Sequence, residues 1–257
     1  MSLLSVRGLT RAFGGLMALD AVTFDVHEGS IKAVIGPNGA GKSTLFNCVT
    51  GFDRADSGGV LFCSRDIGRD RPSTLVRAGM ARTFQNTQLF EEASALENVL
   101  TGTFAVTRSG MVAAALRLPS ARREERGSRE DSHRLLSLVG LGDVAEMVAR
   151  DLPHGSRRLL EIARALASRP RLLLLDEPAA GLNATETHEL ADVLYRIRDA
   201  GATIVIIEHD MGLVMEISDE IVVLDHGCTI AEGPPLFVQK DPSVIEAYLG
   251  EGPGDDD

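Results

Sequence analysis

The feature that most constrains this chain is a glycine-rich segment at residues 36–44. It reads Gly-Pro-Asn-Gly-Ala-Gly-Lys-Ser-Thr and fits the pattern G-x-x-x-x-G-K-[ST]. The apolar run Ile31–Ile35 before it predicts a strand, and residues 42–50 after it predict a helix. Strand, glycine-rich loop and helix in this order are the context that the pattern requires. The segment therefore predicts a loop that cradles phosphate groups.

The chemistry of phosphate binding explains the spacing within this loop. Glycines let successive backbone N–H groups converge on phosphate oxygens, and the helix that follows adds its positive N-terminal end. Lys42 is expected to reach the β- and γ-phosphates of a nucleotide, and the Ser43 hydroxyl is expected to ligate Mg²⁺. The predicted nucleotide-binding residues of the loop are Gly36, Pro37, Asn38, Gly39, Ala40, Gly41, Lys42, Ser43 and Thr44.

A pair of carboxylates follows a second apolar run. Four leucines at 172–175 lead into Asp176 and Glu177. Asp176, at the end of the strand, is placed to hold the Mg²⁺ shell, and Glu177 is placed to accept a proton from an attacking water. An acidic pair after a strand is also a common surface cap. Its position downstream of a phosphate loop favours the catalytic interpretation.

The remaining pattern indicates an α/β fold. Val22, Phe24 and Val26 alternate with polar residues, as in a half-buried strand, whereas 172–175, Thr203–Ile207 and 221–224 are continuously apolar. Continuous runs suit a parallel sheet covered by helices. Helical stretches are predicted at 157–168 and 185–199, and residues 101–148 predict a helical insertion. The charge run at 122–126 is interpreted as a solvated helix face.

The composition limits the kinds of binding partner and the cellular compartment that are expected for this chain. The chain has 257 residues and a formal net charge of −11, which argues against nucleic-acid binding because that requires a basic face. Its apolar runs are far shorter than the roughly 20 residues that cross a bilayer, and its first residues do not predict a signal peptide. Its three cysteines are widely separated, which favours reduced thiols. Any membrane role is therefore expected to depend on partner subunits.

These motifs together resemble the ABC ATPase family, and the resemblance covers nearly the whole chain. It implies a P-loop NTPase core with a mostly parallel sheet, an N-terminal antiparallel β subdomain and an inserted α-helical subdomain. Phe13 resembles the aromatic residue that stacks on adenine, although a core phenylalanine is a rival interpretation. Gln85 resembles the glutamine that touches Mg²⁺ and water and senses the membrane partner. His209 resembles the switch histidine that contacts the γ-phosphate and holds Glu177 in line.

The segment at 152–156 occupies the place of the family signature, usually Leu-Ser-Gly-Gly-Gln. The resemblance implies that His154, Gly155 and Ser156 contact the γ-phosphate held by a second ATPase subunit, so that two ATP molecules lie between two subunits. Pro153 and Ser156 depart from the usual serine and glutamine. Gly155 and the start of a helix are retained. Residues 180–183 resemble the loop that crosses to the partner subunit.

The predicted organisation is a single ABC ATPase domain over residues 1–250. Residues 1–86 and 157–250 are assigned to the nucleotide-binding core, residues 87–156 to the helical subdomain, and residues 251–257 to an acidic disordered tail. Other proteins with this loop fit less well. A GTPase needs an Asn-Lys-x-Asp segment, and no Asn-Lys pair occurs in the sequence. A DNA-binding SMC protein needs long coiled coils, for which the chain leaves no room.

Several stretches resemble importer ATPases for branched-chain amino acids in particular. They are residues 13–16, 81–86, 96–100, 230–233 and 241–250. This resemblance implies a second and different ATPase chain, two transmembrane permease subunits, an extracytoplasmic solute-binding protein and a peripheral position on the cytoplasmic face of the membrane. Alternatives are the ATPase of a urea or amide importer, that of a lipopolysaccharide exporter, and a soluble ABC ATPase without a transport role.

Overall fold

The structure is a computed structural model that describes residues 2–84, 88–106 and 119–249. Its strands are β1 Ser2–Phe13, β2 Leu16–His27, β3 Ile31–Ile35, β4 Ser57–Phe62, β5 Arg65–Asp66, β6 Met80–Arg82, β7 Leu172–Asp176, β8 Thr203–Ile207, β9 Glu220–Asp225 and β10 Cys228–Gly233. Its helices are α1 Lys42–Val49, α2 Pro72–Arg77, α3 Ala95–Thr103, α4 Pro119–Leu138, α5 His154–Leu166, α6 Ala184–Asp199, α7 Met211–Ile217, α8 Pro235–Val238 and α9 Pro242–Leu249. Short 3₁₀ turns occur at Gly142–Val144 and Ala149–Asp151.

A six-stranded sheet in the order β10-β9-β3-β8-β7-β6 forms the centre of the domain. All its neighbouring pairs are parallel except the pair β9 and β10. Every residue of β3, β7 and β8 is buried, which explains why their sequences are apolar except at Lys32, Asp176 and Thr203. The predicted parallel sheet is confirmed.

A second, antiparallel sheet in the order β2-β1-β4-β5 is built largely from the N-terminal residues. Val22, Phe24 and Val26 of β2 are buried while Thr23 is exposed, so the alternation in the sequence separates core from solvent. This arrangement confirms the predicted fold class, including its N-terminal antiparallel part.

The central sheet separates two hydrophobic cores. Ile31, Ala33 and Ile35 of β3 belong to the core that contains α5 and α6. Val34 belongs to the other core, with α1 and the antiparallel sheet. Because β3, β7 and β8 are parallel, their carboxyl ends lie at one edge of the sheet, where ligands bind in open α/β sheets.

The predicted helical insertion at 101–148 contains the end of α3, all of α4 and the first 3₁₀ turn, while most of α3 and the second 3₁₀ turn lie outside its predicted bounds. Helix α3 packs against both α4 and α5. Helix α3 begins at a capping box: Ser94 Oγ accepts from Glu97 N, and the Glu97 carboxylate accepts from Ser94 N. In the charge run, Arg123, Glu125 and Arg126 are exposed on α4.

Helix α5 begins three residues earlier than the predicted start at 157. Gly155 and Ser156 favour loops in a sequence, but the first turn of a helix tolerates them because its N–H groups need no partner within the helix. The predicted division into core and helical subdomain stays a prediction, and its boundary at 156/157 falls inside α5. Within the described ranges, no helix is both long enough and apolar enough to cross a membrane.

Candidate functional site

The loop between β3 and α1 is shaped by glycines that no larger residue could replace. Gly36 has φ +148°, and a Cβ there would lie 2.0 Å from the carbonyl oxygen of Leu224 on β9. Gly41 has φ +100°, and its Cβ would lie 2.3 Å from the carbonyl oxygen of Ala18 on β2. The loop is therefore held against two other strands at van der Waals distance, in conformations that favour glycine.

Lys42 and Ser43 form the first turn of α1, directly after the loop. The Lys42 side chain is buried, and its Nζ donates to the carbonyl oxygens of Gly36 and Pro37 at 2.6 and 2.8 Å. Its ammonium group thus lies within the curve of the loop, beside the N-terminal end of α1. Both features attract anions.

A cavity of about 360 Å³ opens over this loop. Its lining residues are Phe13, Leu16, Met17, Ala18, Asn38, Gly39, Ala40, Gly41, Lys42, Ser43, Thr44, Glu177, His209 and His226. Phe13 is 45% exposed, and the Arg11 guanidinium lies 4.5 Å from the centre of its ring. An exposed ring beside a phosphate-binding loop suits stacking on a base and disfavours the interpretation of Phe13 as a core residue.

Glu177 and His209 meet at the wall of this cavity, because β7 and β8 end side by side. His209 Nε2 lies 2.8 Å from Glu177 Oε1. Glu177 has φ +50°, a left-handed conformation that costs about 1–3 kcal/mol in a residue other than glycine. Its backbone is held by the hydrogen bonds Glu177 N to Ile207 O and Ala180 N to Glu177 O. This turn directs the carboxylate towards His209.

Glu208 links the segment that follows β7 to the segment that follows β8. Its Oε1 accepts from Ala179 N at 2.7 Å, and its Oε2 accepts from His209 N at 3.0 Å. Burial raises the pKa of Glu208 above its ordinary value, because burial disfavours the charged form more than these N–H groups favour it. The side chain ties the segment after β7 to the segment after β8, and so helps to fix the distance between Glu177 and His209.

Asp176, the last residue of β7, is buried and forms an ion pair with Arg82 of β6. Arg82 Nη2 lies 2.7 Å from Asp176 Oδ2, and each side chain is only 8% exposed. The same guanidinium donates through Nη1 to Asn47 Oδ1 and Thr50 Oγ1, at 2.7 and 3.1 Å. The sequence motifs do not identify this partner of Asp176.

The signature-like residues lie away from the cavity, in the first turn of α5. His154 Nε2 lies 3.3 Å from the carbonyl oxygen of Ala180. A Cβ at Gly155 would lie 2.8 Å from Glu186 Oε1, and Glu186 caps α6 together with Asn183. The segment at 180–183 is thus packed beside the first turn of α5, in the same chain.

The structure brings together Phe13, residues 38–44, Glu177 and His209, whereas Gln85 lies outside the described residues. Sequence reasoning missed Arg82, Glu208 and the cavity-lining residues Leu16, Met17, Ala18 and His226. Glu208 could have been suspected from its place beside His209. No sequence signal indicates that the turn between β9 and β10, which carries His226, reaches the phosphate loop, where Gly227 N donates to Ala40 O.

The comparisons with known proteins agree with this fold. The profile of the ABC transporter family matches residues 19–180, which is more than half of the chain. The chain therefore belongs to the ABC transporter family, as an ATP-binding subunit of the kind that hydrolyses ATP to drive transport. A second profile, described as branched-chain amino acid ATP-binding cassette transporter, matches residues 228–253.

Two curated relatives match over nearly their whole length. The chain is 43% identical to the high-affinity branched-chain amino acid transport ATP-binding protein BraF of Pseudomonas aeruginosa, over 97% of this chain and 98% of that protein. It is 42% identical to the corresponding protein LivG of Escherichia coli, with the same coverage.

Two solved structures are similar in fold and sequence. One is an ATP-binding cassette of an ABC transporter in its ADP conformation, with a TM-score of 0.86, 35% identity, and coverage of 98% of this chain and 100% of that chain. The other is a nucleotide-free cassette with a TM-score of 0.85, 34% identity and the same coverage.

Proposed function

We propose that this chain hydrolyses ATP to power a membrane importer for branched-chain amino acids, with Glu177 as the general base. The cavity over the phosphate loop is the observation that supports ATP hydrolysis. It combines an exposed aromatic ring, a phosphate loop and the 2.8 Å contact between Glu177 and His209.

Hydrolysis of the γ-phosphate depends mainly on positioning and on charge stabilisation. Lys42 and the N–H groups at the start of α1 offset the charge that develops on the phosphoryl oxygens. Glu177 orients the attacking water and accepts its proton, while His209 holds the Glu177 carboxylate and contacts the γ-phosphate. Gln85, which resembles the family's glutamine that touches the metal ion and the water, would complete this set.

Ser43 at the start of α1 and Asp176, which precedes the cavity-lining Glu177, carry oxygens that suit Mg²⁺, because this ion prefers hydroxyl, carboxylate and phosphate oxygens. Ser43 Oγ and the Asp176 carboxylate, with Gln85, are the groups that would hold the ion. Asp176 is buried and ionically paired at a strand end, so its oxygens are restrained before any ion arrives. When bound, Mg²⁺ supplies positive charge next to the phosphoryl oxygens.

The first turn of α5 serves the nucleotide of a second ATPase subunit. Residues 154–156 do not line this chain's own cavity, yet they present the N–H groups of a helix start. The neighbouring segment 180–183 lies on the same surface. Two subunits facing each other would therefore complete two composite sites, and ATP would hold them together. The resemblance to branched-chain importers favours a second, different ATPase chain.

The permease contacts a groove on the helical side of the domain. This cavity of about 540 Å³ lies between the segment after β6, the end of α3 and one side of α5. Phe90 and Phe104 in its lining are 58% and 75% exposed, which is typical of a protein-binding surface. Helix α5 connects this groove, through Glu161 and Arg164, with the signature-like turn at its other end.

The solute is inferred from the relatives, because the transported molecule would pass through the permeases and not through this subunit. Both curated relatives described above are named for branched-chain amino acid transport, and the profile at residues 228–253 carries the same description. A solute-binding protein outside the membrane would deliver the amino acid to the permeases.

The chemical assignment is tested by Glu177→Gln. The substitution keeps the size of the side chain but removes the base, so we expect ATP turnover to fall by about 10²–10⁴-fold while the affinity for ATP is retained. Glu189→Gln, at an exposed position on α6, is the matched control and should hydrolyse ATP at the wild-type rate. Normal turnover by Glu177→Gln would reject Glu177 as the base.

The transport assignment is tested by isolating the tagged chain from gently solubilised membranes of its host and identifying its partners by mass spectrometry. Two multi-span permeases and a second, different ATPase would support the importer, and an associated binding protein would allow direct measurement of amino-acid binding. Recovery of soluble partners alone would leave the ATPase chemistry standing and refute the transport role.

A further inference from the structure

Arg82 occupies a position between the two proposed sources of Mg²⁺ ligands. Its guanidinium pairs with Asp176 at the end of β7 and donates to Asn47 and Thr50 at the end of α1, the helix that begins with Lys42 and Ser43. The guanidinium thus ties the strand that carries Asp176 to the helix that carries Ser43.

The surroundings of Arg82 restrain it further. Its guanidinium carbon lies 5.5, 5.9 and 5.1 Å from the ring centres of Phe46, Phe52 and Phe84. The rings of Phe52 and Phe84 meet edge to face at 5.4 Å. A planar cation between aromatic rings, with three side-chain hydrogen bonds, has little freedom to move. Lysine could supply the charge but not this fork of donors.

Arg82 also reaches the proposed permease groove. It lines that cavity together with Thr83 and Phe84, which follow it along the chain. One side chain therefore touches both the groove and the carboxylate beside the catalytic base.

We infer that Arg82 is a positioning residue that orients Asp176 for Mg²⁺ and links that carboxylate to the permease groove. The inference rests on the proposed function. Residues that hydrogen-bond to metal-binding carboxylates fix their orientation, and their loss typically reduces metal affinity or activity about 10–100-fold. Without Arg82, the buried Asp176 carboxylate would lose the ion pair that holds its Oδ2 atom.

The test compares Arg82→Gln and Arg82→Lys with the wild type in the full chain. Binding of a fluorescent ATP analogue is titrated with Mg²⁺ and repeated in EDTA, and Mn²⁺ binding is followed by electron paramagnetic resonance. For Arg82→Gln we expect the Mg²⁺ concentration at half-saturation to rise about 10-fold or more, with nucleotide binding in EDTA unchanged. For Arg82→Lys, the Mg²⁺ concentration at half-saturation should lie between the values for Arg82→Gln and for the wild type.

Lys32→Gln is the matched control for loss of a buried cation. Lys32 is 1% exposed and pairs with Glu220 and Glu232, at the end of β3 opposite to the end that leads into the phosphate loop. The Lys32→Gln substitution should lower thermal stability without changing the Mg²⁺ dependence of nucleotide binding. If Arg82→Gln does not fold, Asn47→Ala replaces it. That variant removes one hydrogen bond from Arg82 and should raise the half-saturating Mg²⁺ concentration about 2–10-fold.

The outcomes separate this inference from the proposed function. A wild-type chain that does not bind Mg²⁺ and ATP would refute the proposed function itself. A functional wild type together with Arg82 variants of unchanged Mg²⁺ dependence would refute only the role of Arg82. Equal weakening of nucleotide binding in Mg²⁺ and in EDTA would also refute it, because that result indicates a general structural role.

Discussion

Replacement of Asn98 by alanine tests how the helical region holds the loop at its edge. Asn98 of α3 is fully buried. Its Oδ1 accepts from Phe90 N at 2.8 Å, and its Nδ2 donates to the carbonyl oxygens of Phe90 and Ser94, each at 3.0 Å. One amide therefore fixes the loop that leads into α3 and that contributes Phe90 to the proposed permease groove.

The magnitude follows from these contacts. Three hydrogen bonds at about 0.5–1.5 kcal/mol each give a loss of roughly 1.5–4.5 kcal/mol in the free energy of unfolding. For a domain of this size, each kcal/mol lowers Tm by about 2–4 °C, so Asn98→Ala should lower Tm by roughly 3–18 °C. Scanning calorimetry measures the shift, and amide hydrogen exchange should locate the faster exchange at residues 88–94.

Ser94→Ala is the reference variant, because it removes the cap of the same helix and costs only about 1 kcal/mol. An Asn98→Ala variant that loses no more stability than Ser94→Ala would show that the three hydrogen bonds contribute little beyond an ordinary cap. Such a result would refute the proposed contribution of the buried Asn98 amide to stability.

Two further predictions concern the base-stacking ring and the antiparallel sheet. Phe13→Ala should raise the Kd for ATP about 5–150-fold, since stacking on an aromatic ring contributes about 1–3 kcal/mol, and Phe13→Tyr should bind ATP like the wild type. Titration with a fluorescent nucleotide measures the Kd of both variants. A Phe13→Ala variant that binds ATP as tightly as Phe13→Tyr would contradict the stacking role. Burial raises the pKa of Asp25, but hydrogen bonds from Ser5, Arg7 and Ser2 outweigh it and lower the pKa from 3.8 to about 2. Because the folded-state pKa is the lower one, Asp25 stabilises the fold above pH 3.8, and this stability is lost as pH falls towards 2. In Tm measurements against pH, the stability difference between wild type and Asp25→Asn should therefore shrink below pH 4; a constant difference would contradict it.

Features encoded locally could be predicted from the sequence. The phosphate loop needs glycines at fixed spacing between a strand and a helix, and β3 and α1 lie where that pattern places them. Strands buried on both faces carry few polar residues, so Thr203–Ile207 was predicted with the bounds of β8. The proximity of Glu177 and His209 could also be expected, since both follow strands of one parallel sheet.

Features that depend on distant contacts could not be predicted. Arg82 lies three residues before Gln85 in the sequence, and only the pairing of β6 with β7 brings it to Asp176. The start of α5 was predicted three residues late, because Gly155 has low helix propensity. Only the structure shows that Glu186 approaches Gly155 too closely for a side chain at that position.

The pairing of β3 has a consequence for synthesis of the protein. This strand carries the phosphate loop, yet its neighbours in the sheet are β8 and β9, which the ribosome produces far later. The loop also rests on Leu224 and accepts a hydrogen bond from Gly227. A nascent chain that ends before β8 would contain the whole nucleotide-binding motif but could not hold its shape. Both edges of β3 would meanwhile remain available to other strands, a known route to aggregation.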